Sequence, residues 1–297
     1  MTVEIAKGVG PAKIDIAYER FGDPSAPPLL LIMGLATQMI AWHDDFVAAL
    51  VARGLHVIRF DNRDIGLSTH MVNAPVPNFA AVVAGDLSTA SYNLSDMAGD
   101  TVGLLDALGI ASAHLVGASM GGFIAQTIAI EHPARVRSLT SIMSSTGDRN
   151  VGQLAPEAYA LFAAPPVKTR EDAIKRALDA VRLIGSPGYP FDPEMVADRA
   201  GRSYDRAYDA VGVIRQGTAV VASGDRTEML RRLDVPTLVI HGTDDKMCNT
   251  SGGRATAAAI HGAKLVIYEG MGHDLPRALW PQFVDEIAAL VQRAEAR

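Results

Sequence analysis

The sequence predicts an α/β fold: a mostly parallel central sheet flanked by helices, with a helical cap inserted before the penultimate strand. Three observations predict it. Short apolar runs closed by glycine or aspartate, the signature of strands buried on both faces, recur through the first half and return near the C-terminus. Amphipathic segments alternate with them, the rhythm of strand–helix–strand units on a parallel sheet. From about residue 148 to 226 the apolar strands vanish and charged, helix-like segments replace them.

"KIDIAYERFGD" (13–23) alternates as a strand does and ends in a Gly-Asp-Pro turn, and "PLLLIMG" (28–34) is a continuous apolar run. "HDDFVAALVARG" (43–54) sets Phe46, Leu50 and Val51 at helical spacing, with Gly54 as its stop. "LHVIRFD" (55–61) is a strand that leads into "DNRDIGLS". In "SDMAGDTVGLLDALG" (95–109) Ser95 suits a helix cap, Met97, Val102, Leu105 and Leu108 form a stripe, and Gly109 ends it. "AHLVGAS" is the next strand, "MGGFIAQTIAIEHP" a helix stopped by Pro133, and "VRSLTSIMS" a further strand. "KTREDAIKRALDAVRLIG" and "DPEMVADRAGRSYDRAYDAVGVIRQ" each read as helical, separated by the turn-rich "GSPGYPFDP". Strands return with "PTLVIHG" (236–242) and "AKLVIYEG" (263–270), and the helix "WPQFVDEIAALVQRA" closes the chain. The predicted organisation is a core of residues 1–147 and 227–297 carrying a cap of residues 148–226.

A chain of 297 residues buries roughly 75% of its unfolded surface and needs no staple. The net charge of −6, with 27 scattered Lys and Arg, argues against a nucleic-acid partner. The single cysteine, Cys248, excludes an internal disulfide or a cysteine metal cluster and fits a reducing compartment. The N-terminus lacks a secretory apolar core, and "PPLLLIMGLA" is about half a membrane span. The expectation is a cytoplasmic protein without a membrane partner. The cap helices could offer a face for a homodimer.

In an open parallel sheet, ligands bind beyond the carboxyl ends of the strands. Ser119 stands after "HLVGA", Asp244 and Asp245 after "TLVIHG", and His273 after "KLVIYEGMG". A serine, a carboxylate and a histidine at three strand ends are the components of nucleophilic acyl transfer. A serine hydroxyl is a weak nucleophile and needs an adjacent base, which His273 would supply. A carboxylate would fix the imidazole tautomer. Asp245 is favoured over Asp244 because it lies three residues past Gly242, far enough for the chain to turn back. In "GASMG" the turn from strand to helix leaves no room for a Cβ at Gly117 or Gly121. The amides of Met120 and Leu35 are the natural pair of donors for a developing oxyanion.

Plainer readings compete. On its pentad alone Ser119 reads equally well as a turn filler. The other seven histidines read as structural, among them His43 as a helix cap and His241 as the end of a strand. Asp100 and Asp106 read as solvated helix charges, and Asp61, Arg63 and Asp64 as a brace within their loop. Cys248 reads as an inert thiol. Trp42 and Met143 are expected to wall a substrate pocket, although the methionines near the strand ends fit gap-filling equally well.

Taken in order, "GASMGG", "DNRDIGLS", "HGTDD" and "GMGHDLP" resemble the α/β-hydrolase superfamily over nearly the whole chain. Within it, the sequence is similar to bacterial carboxylesterases of the aclacinomycin methylesterase-like group. The resemblance implies a cofactor-free, metal-free serine hydrolase of a small or medium carboxylic ester. Its nucleophile would be Ser119, its acid Asp245 and its base His273, with Leu35 and Met120 as oxyanion amides. Where relatives place an apolar turn and a proline after the acid, this chain has "KMCNTSGG", a departure that bears on the pocket wall. Carbon–carbon bond hydrolases and cofactor-free perhydrolases share the triad, and a non-catalytic ligand-binding relative shares the fold.

Overall fold

The computed structural model describes residues 2–163 and 167–297. Among them, eight strands form one sheet: β1 (Glu4–Val9), β2 (Ile14–Phe21), β3 (Pro28–Ile32), β4 (His56–Phe60), β5 (Ala113–Ala118), β6 (Val136–Ile142), β7 (Thr237–Gly242) and β8 (Lys264–Tyr268). Their order across the sheet is β1-β2-β4-β3-β5-β6-β7-β8. β1 and β2 pair antiparallel, as do β2 and β4; the remaining pairs are parallel. The mostly parallel α/β sheet is the predicted class. β1 escapes sequence reading because an edge strand with Lys7 and Gly8 carries no apolar run.

The helices are α1 (Asp44–Val51), α2 (Phe79–Val83), α3 (Leu94–Ala107), α4 (Met120–Glu131), α5 (Ala160–Ala163), α6 (Arg170–Ile184), α7 (Pro193–Arg206), α8 (Ala210–Ala222), α9 (Thr227–Leu230), α10 (Ser251–Ala259) and α11 (Trp280–Glu295). Side chains alternate across a strand, so β3 sends Leu30 and Ile32 into one apolar cluster and Leu29 and Leu31 into another. The first cluster packs α3 and α4 on the sheet through Leu104, Leu105, Ile124 and Ile128. The second packs α1 and α11 through Phe46, Leu50, Phe283 and Ile287. Each such side chain contributes about 1.5–3 kcal/mol when fully buried.

Two local expectations are corrected. α3 is capped by Asn93 in a capping box with Asp96, while the Ser95 hydroxyl donates to Glu131 at 2.6 Å. The segment from Asp192 onward is two helices, not one. The chain leaves α7 at Ala207 and starts α8 with the Asp209 carboxylate accepting from the Val211 and Gly212 amides. α5 to α8 all lie between β6 and β7 and form a helical insertion. Residues 164–166 of the segment predicted as a cap lie outside the described residues. Among the described residues no helix is long and apolar enough to cross a membrane.

Candidate active site

The turn between β5 and α4 sets Ser119 at φ 54°, ψ −121°, a conformation costly to any residue with a Cβ. Close contacts enforce it. A Cβ on Gly117 would collide with the Gly121 carbonyl, and one on Gly121 with the Ile32 carbonyl. The Ser119 amide donates to the Ile142 carbonyl (2.9 Å), and the Ser144 hydroxyl donates to the Ser119 carbonyl (2.6 Å). The side chain is thereby presented at the head of α4, where backbone amides favour negative charge.

Asp245 and His273 converge on it. The Ser119 hydroxyl lies 2.9 Å from His273 Nε2, and His273 Nδ1 lies 2.9 and 2.8 Å from the two Asp245 oxygens. A carboxylate only accepts, so Nδ1 carries the proton and Nε2 is left as the acceptor for the hydroxyl. Asp245 Oδ1 also accepts from the Met247 and Cys248 amides at 2.9 and 2.8 Å. Burial alone would raise the Asp245 pKa, but His273 and His241 outweigh it and hold the carboxyl well below the usual range. Asp244 is exposed and accepts from the Thr243 hydroxyl.

The loop after β3 runs past the serine: a Cβ on Gly34 would sit 3.0 Å from Ser119 Cβ. Among the described residues, neither the Leu35 nor the Met120 amide donates to a protein acceptor. Both are thus available to an oxyanion.

His241, read from the sequence as a structural residue ending its strand, also packs against Asp245. Its ring is fully buried, with Nε2 2.7 Å from the Cys248 carbonyl and 3.4 Å from Asp245 Oδ2. A carbonyl only accepts, so Nε2 carries the proton, and Nδ1 has no hydrogen-bond partner among the described residues. The signal was the position itself, one residue before the end of the strand that delivers Asp245. Cys248 is buried, and desolvation together with the Asp245 charge pushes its thiol pKa up, as an inert thiol requires.

Asp100 corrects the sequence reading. It is 2% exposed and takes both Nε (2.5 Å) and Nη2 (2.7 Å) of the equally buried Arg63, while Asp106 stays on the surface. Asp61 and Asp64 do brace their loop, and they also reach the insertion. Asp61 accepts from the Met39 amide (2.7 Å) and pairs with Arg206 of α7 (2.9 Å). Asp64 pairs with Arg215 of α8 (3.2 Å) and accepts from Tyr92 Oη (2.8 Å). Trp42 is wholly buried in the second apolar cluster, its ring stacked 5.7 Å from Phe46. Met143 belongs to the same cluster, at φ 44° just past β6.

The insertion also holds the histidine loop. The His273 amide donates to the Ile184 carbonyl at the end of α6 (2.7 Å), and the Gly272 amide to Ser186 Oγ (2.9 Å). The Ser186 hydroxyl in turn donates to Asp274. Gly188 and Gly270 pack backbone to backbone, too close for a Cβ on either.

A family model described as the alpha/beta hydrolase fold matches residues 27–276. The chain is 28% identical to rhodomycin D methylesterase DnrP of Streptomyces peucetius, over 95% of this chain and 96% of that one. Among solved structures, a hydrolase from Pseudomonas aeruginosa superposes with a TM-score of 0.71 at 24% identity, covering 100% of this chain and 99% of its own. The esterase RhEst1 from a Rhodococcus species gives 0.73 at 22% identity, covering 98% and 99%. At that identity the two structures speak to the fold alone.

Proposed function

The chain belongs to the alpha/beta hydrolase fold family, and from that premise we propose that it is a carboxylic ester hydrolase working through an acyl-enzyme on Ser119. The observation that carries this reading is the unbroken chain Asp245–His273–Ser119, ending on a serine in a left-handed turn. Ser119 Oγ attacks the ester carbonyl carbon while His273 Nε2 takes its proton. The carbonyl oxygen becomes an oxyanion between the Leu35 and Met120 amides, each such donor being worth about 10²–10³ in kcat. Collapse of the tetrahedral intermediate breaks the ester C–O bond, and the imidazolium returns its proton to the departing alcohol. Water, activated by the same Nε2, then releases the acid and restores the hydroxyl. Asp245, ionised throughout, stabilises the imidazolium and keeps the tautomer that leaves Nε2 free.

A small or medium ester, its entrance shaped by the helical insertion as a cap, is the substrate class. Similarity to a methylesterase over 95% of the chain adds methyl esters to that class. The test is hydrolysis of p-nitrophenyl acetate and butyrate together with fluorophosphonate labelling mapped by mass spectrometry. Turnover and a label on Ser119, both abolished by Ser119→Ala, are the expected result. The absence of both turnover and label overturns the proposal; a label without turnover overturns the ester substrate alone.

A further inference from the structure

The loop after β3 is held at several points, while among the described residues the Leu35 amide, the one an oxyanion would need, donates to no protein acceptor. The Met33 carbonyl accepts from Asn62 Nδ2 (3.0 Å), and the Leu35 carbonyl from Thr37 Oγ1 (3.0 Å). The Met39 amide donates to Asp61 (2.7 Å). Gln38 Nε2 donates to the Ser203 and Ala207 carbonyls at the end of α7 (2.7 and 2.8 Å). Directly after Leu35 comes Ala36 at φ 61°, a left-handed backbone that is costly to a residue with a Cβ and persists only where neighbours hold it.

One side chain does so. The Ala36 amide donates to Gln216 Oε1 at 3.0 Å, and Gln216 Nε2 donates to the Arg63 carbonyl at 2.8 Å. A carbonyl only accepts, so the Gln216 amide has one possible orientation. Gln216 is completely buried and belongs to α8, 180 residues from the loop it grips. The peptide joining Leu35 to Ala36 is therefore fixed at both polar ends, its carbonyl by Thr37 and its N–H by Gln216. With the Met33 carbonyl fixed as well, the direction of the intervening Leu35 N–H is determined from both sides.

We propose that Gln216 is a positioning residue of the oxyanion loop, through which the helical insertion aims the Leu35 amide at the carbonyl oxygen bound over Ser119. This rests on the reading of Leu35 as an oxyanion donor. Removing the acceptor leaves the part-buried Ala36 N–H without its protein partner and releases the left-handed turn.

The test compares Gln216→Met and Gln216→Glu with the wild type on p-nitrophenyl butyrate. Methionine keeps the volume and loses the acceptor: kcat should fall about 10- to 100-fold while KM stays within about threefold, the pattern of an interaction made only in the transition state. Glutamate keeps an acceptor for Ala36 and should recover most of that loss. A merely structural role predicts the reverse ranking, because a carboxyl group facing the Arg63 carbonyl disturbs the core more than a thioether. An active wild type whose Gln216→Met variant keeps kcat within about twofold overturns the proposal. A wild type that hydrolyses no ester overturns instead the reading it rests on. If Gln216→Met does not fold, hydrogen exchange at the wild-type Ala36 amide decides: protection as deep as that of β3 supports the clamp, and exchange at the rate of an open loop overturns it.

Discussion

Ser119 and His273 face each other across 2.9 Å, yet the chain holds the two in opposite ways. The serine turn is enforced from within. Gly117 and Gly121 lie two residues on either side, and the atoms that exclude a Cβ there belong to the turn itself and to the adjoining end of β3. The histidine loop is held by segments farther along the chain: the end of β7 packs on Met271, and the insertion grips its backbone. Its backbone hangs on the Ile184 carbonyl, its neighbouring glycine amide on Ser186, and both partners belong to the insertion nearly ninety residues upstream. The Leu35 loop resembles the histidine loop, being held by Asp61, α7 and Gln216. The serine turn is thus set by contacts within itself and with β3, and the His273 and Leu35 loops by hydrogen bonds and backbone packing that reach them from distant segments, the helical insertion among them. A shift of the helical insertion would disturb the His273 and Leu35 loops while leaving Ser119 in place.

The largest effect should come from breaking the locked half. In Gly121→Ala a Cβ meets the carbonyl of Ile32, backbone at the centre of the sheet, which cannot move aside as a flexible side chain could. The expected cost is about 3 kcal/mol or more, at the upper end of core overpacking, seen as loss of the cooperative thermal transition or as insoluble protein. A folded, active variant would mean the turn is looser than its contacts imply. On the hydrogen-bonded half, chemistry should fail while the fold survives. Asp245→Asn reverses the tautomer preference of His273 and should lower kcat by about 10³–10⁴, by analogy with other Ser-His-Asp enzymes. Asp244→Asn, at the exposed neighbour, should leave kcat within about twofold. Equal losses in both variants would show that the loop, not the carboxylate facing Nδ1, is what matters.

The same division decides how much was legible in sequence. Gly117, Ser119 and Gly121 lie within five residues, and the steric demand that selects them is written where it acts. Asp245 and His273 could be placed because strand ends and chain order are readable. The partners were not. Asp100 looks like a solvated charge in its own helix, and only folding brings Arg63 to it from 37 residues away. Ala36 shows no sign of its left-handed backbone, since the residue that holds it is in α8. The cap of α3 was misplaced for a local reason: Asn93, Ser95 and Asp96 are all capping residues, and the reciprocal bond between Asn93 and Asp96 selects the first. α10, beginning Ser-Gly-Gly-Arg, has no apolar stripe to announce it; its glycines are there to let His241 and Cys248 pack against the helix.

The smallest expected effect sharpens the comparison by separating stability from chemistry along one strand. β5 carries His114 near its start and delivers Ser119 at its end. His114 is wholly buried, with Nδ1 2.8 Å from Ser138 Oγ and Nε2 3.1 Å from Glu295. Burial disfavours the imidazolium more than Glu295 favours it, so the pKa falls from the ordinary 6.5 to about 4. Between those two values the unfolded chain binds a proton that the folded chain refuses, so stability declines as the pH falls from 6.5 toward 4. When complete, the loss is on the order of 2–3 kcal/mol. In His114→Gln the melting temperature, lower at pH 7 through lost packing, should change less between pH 7 and 5 than in the wild type. The pH profile of kcat should stay where it is, because the reacting serine stands at the other end of the strand, away from His114. If the kcat profile moves with the melting curve, the two ends of β5 are coupled and the serine turn is less self-contained than its glycines make it.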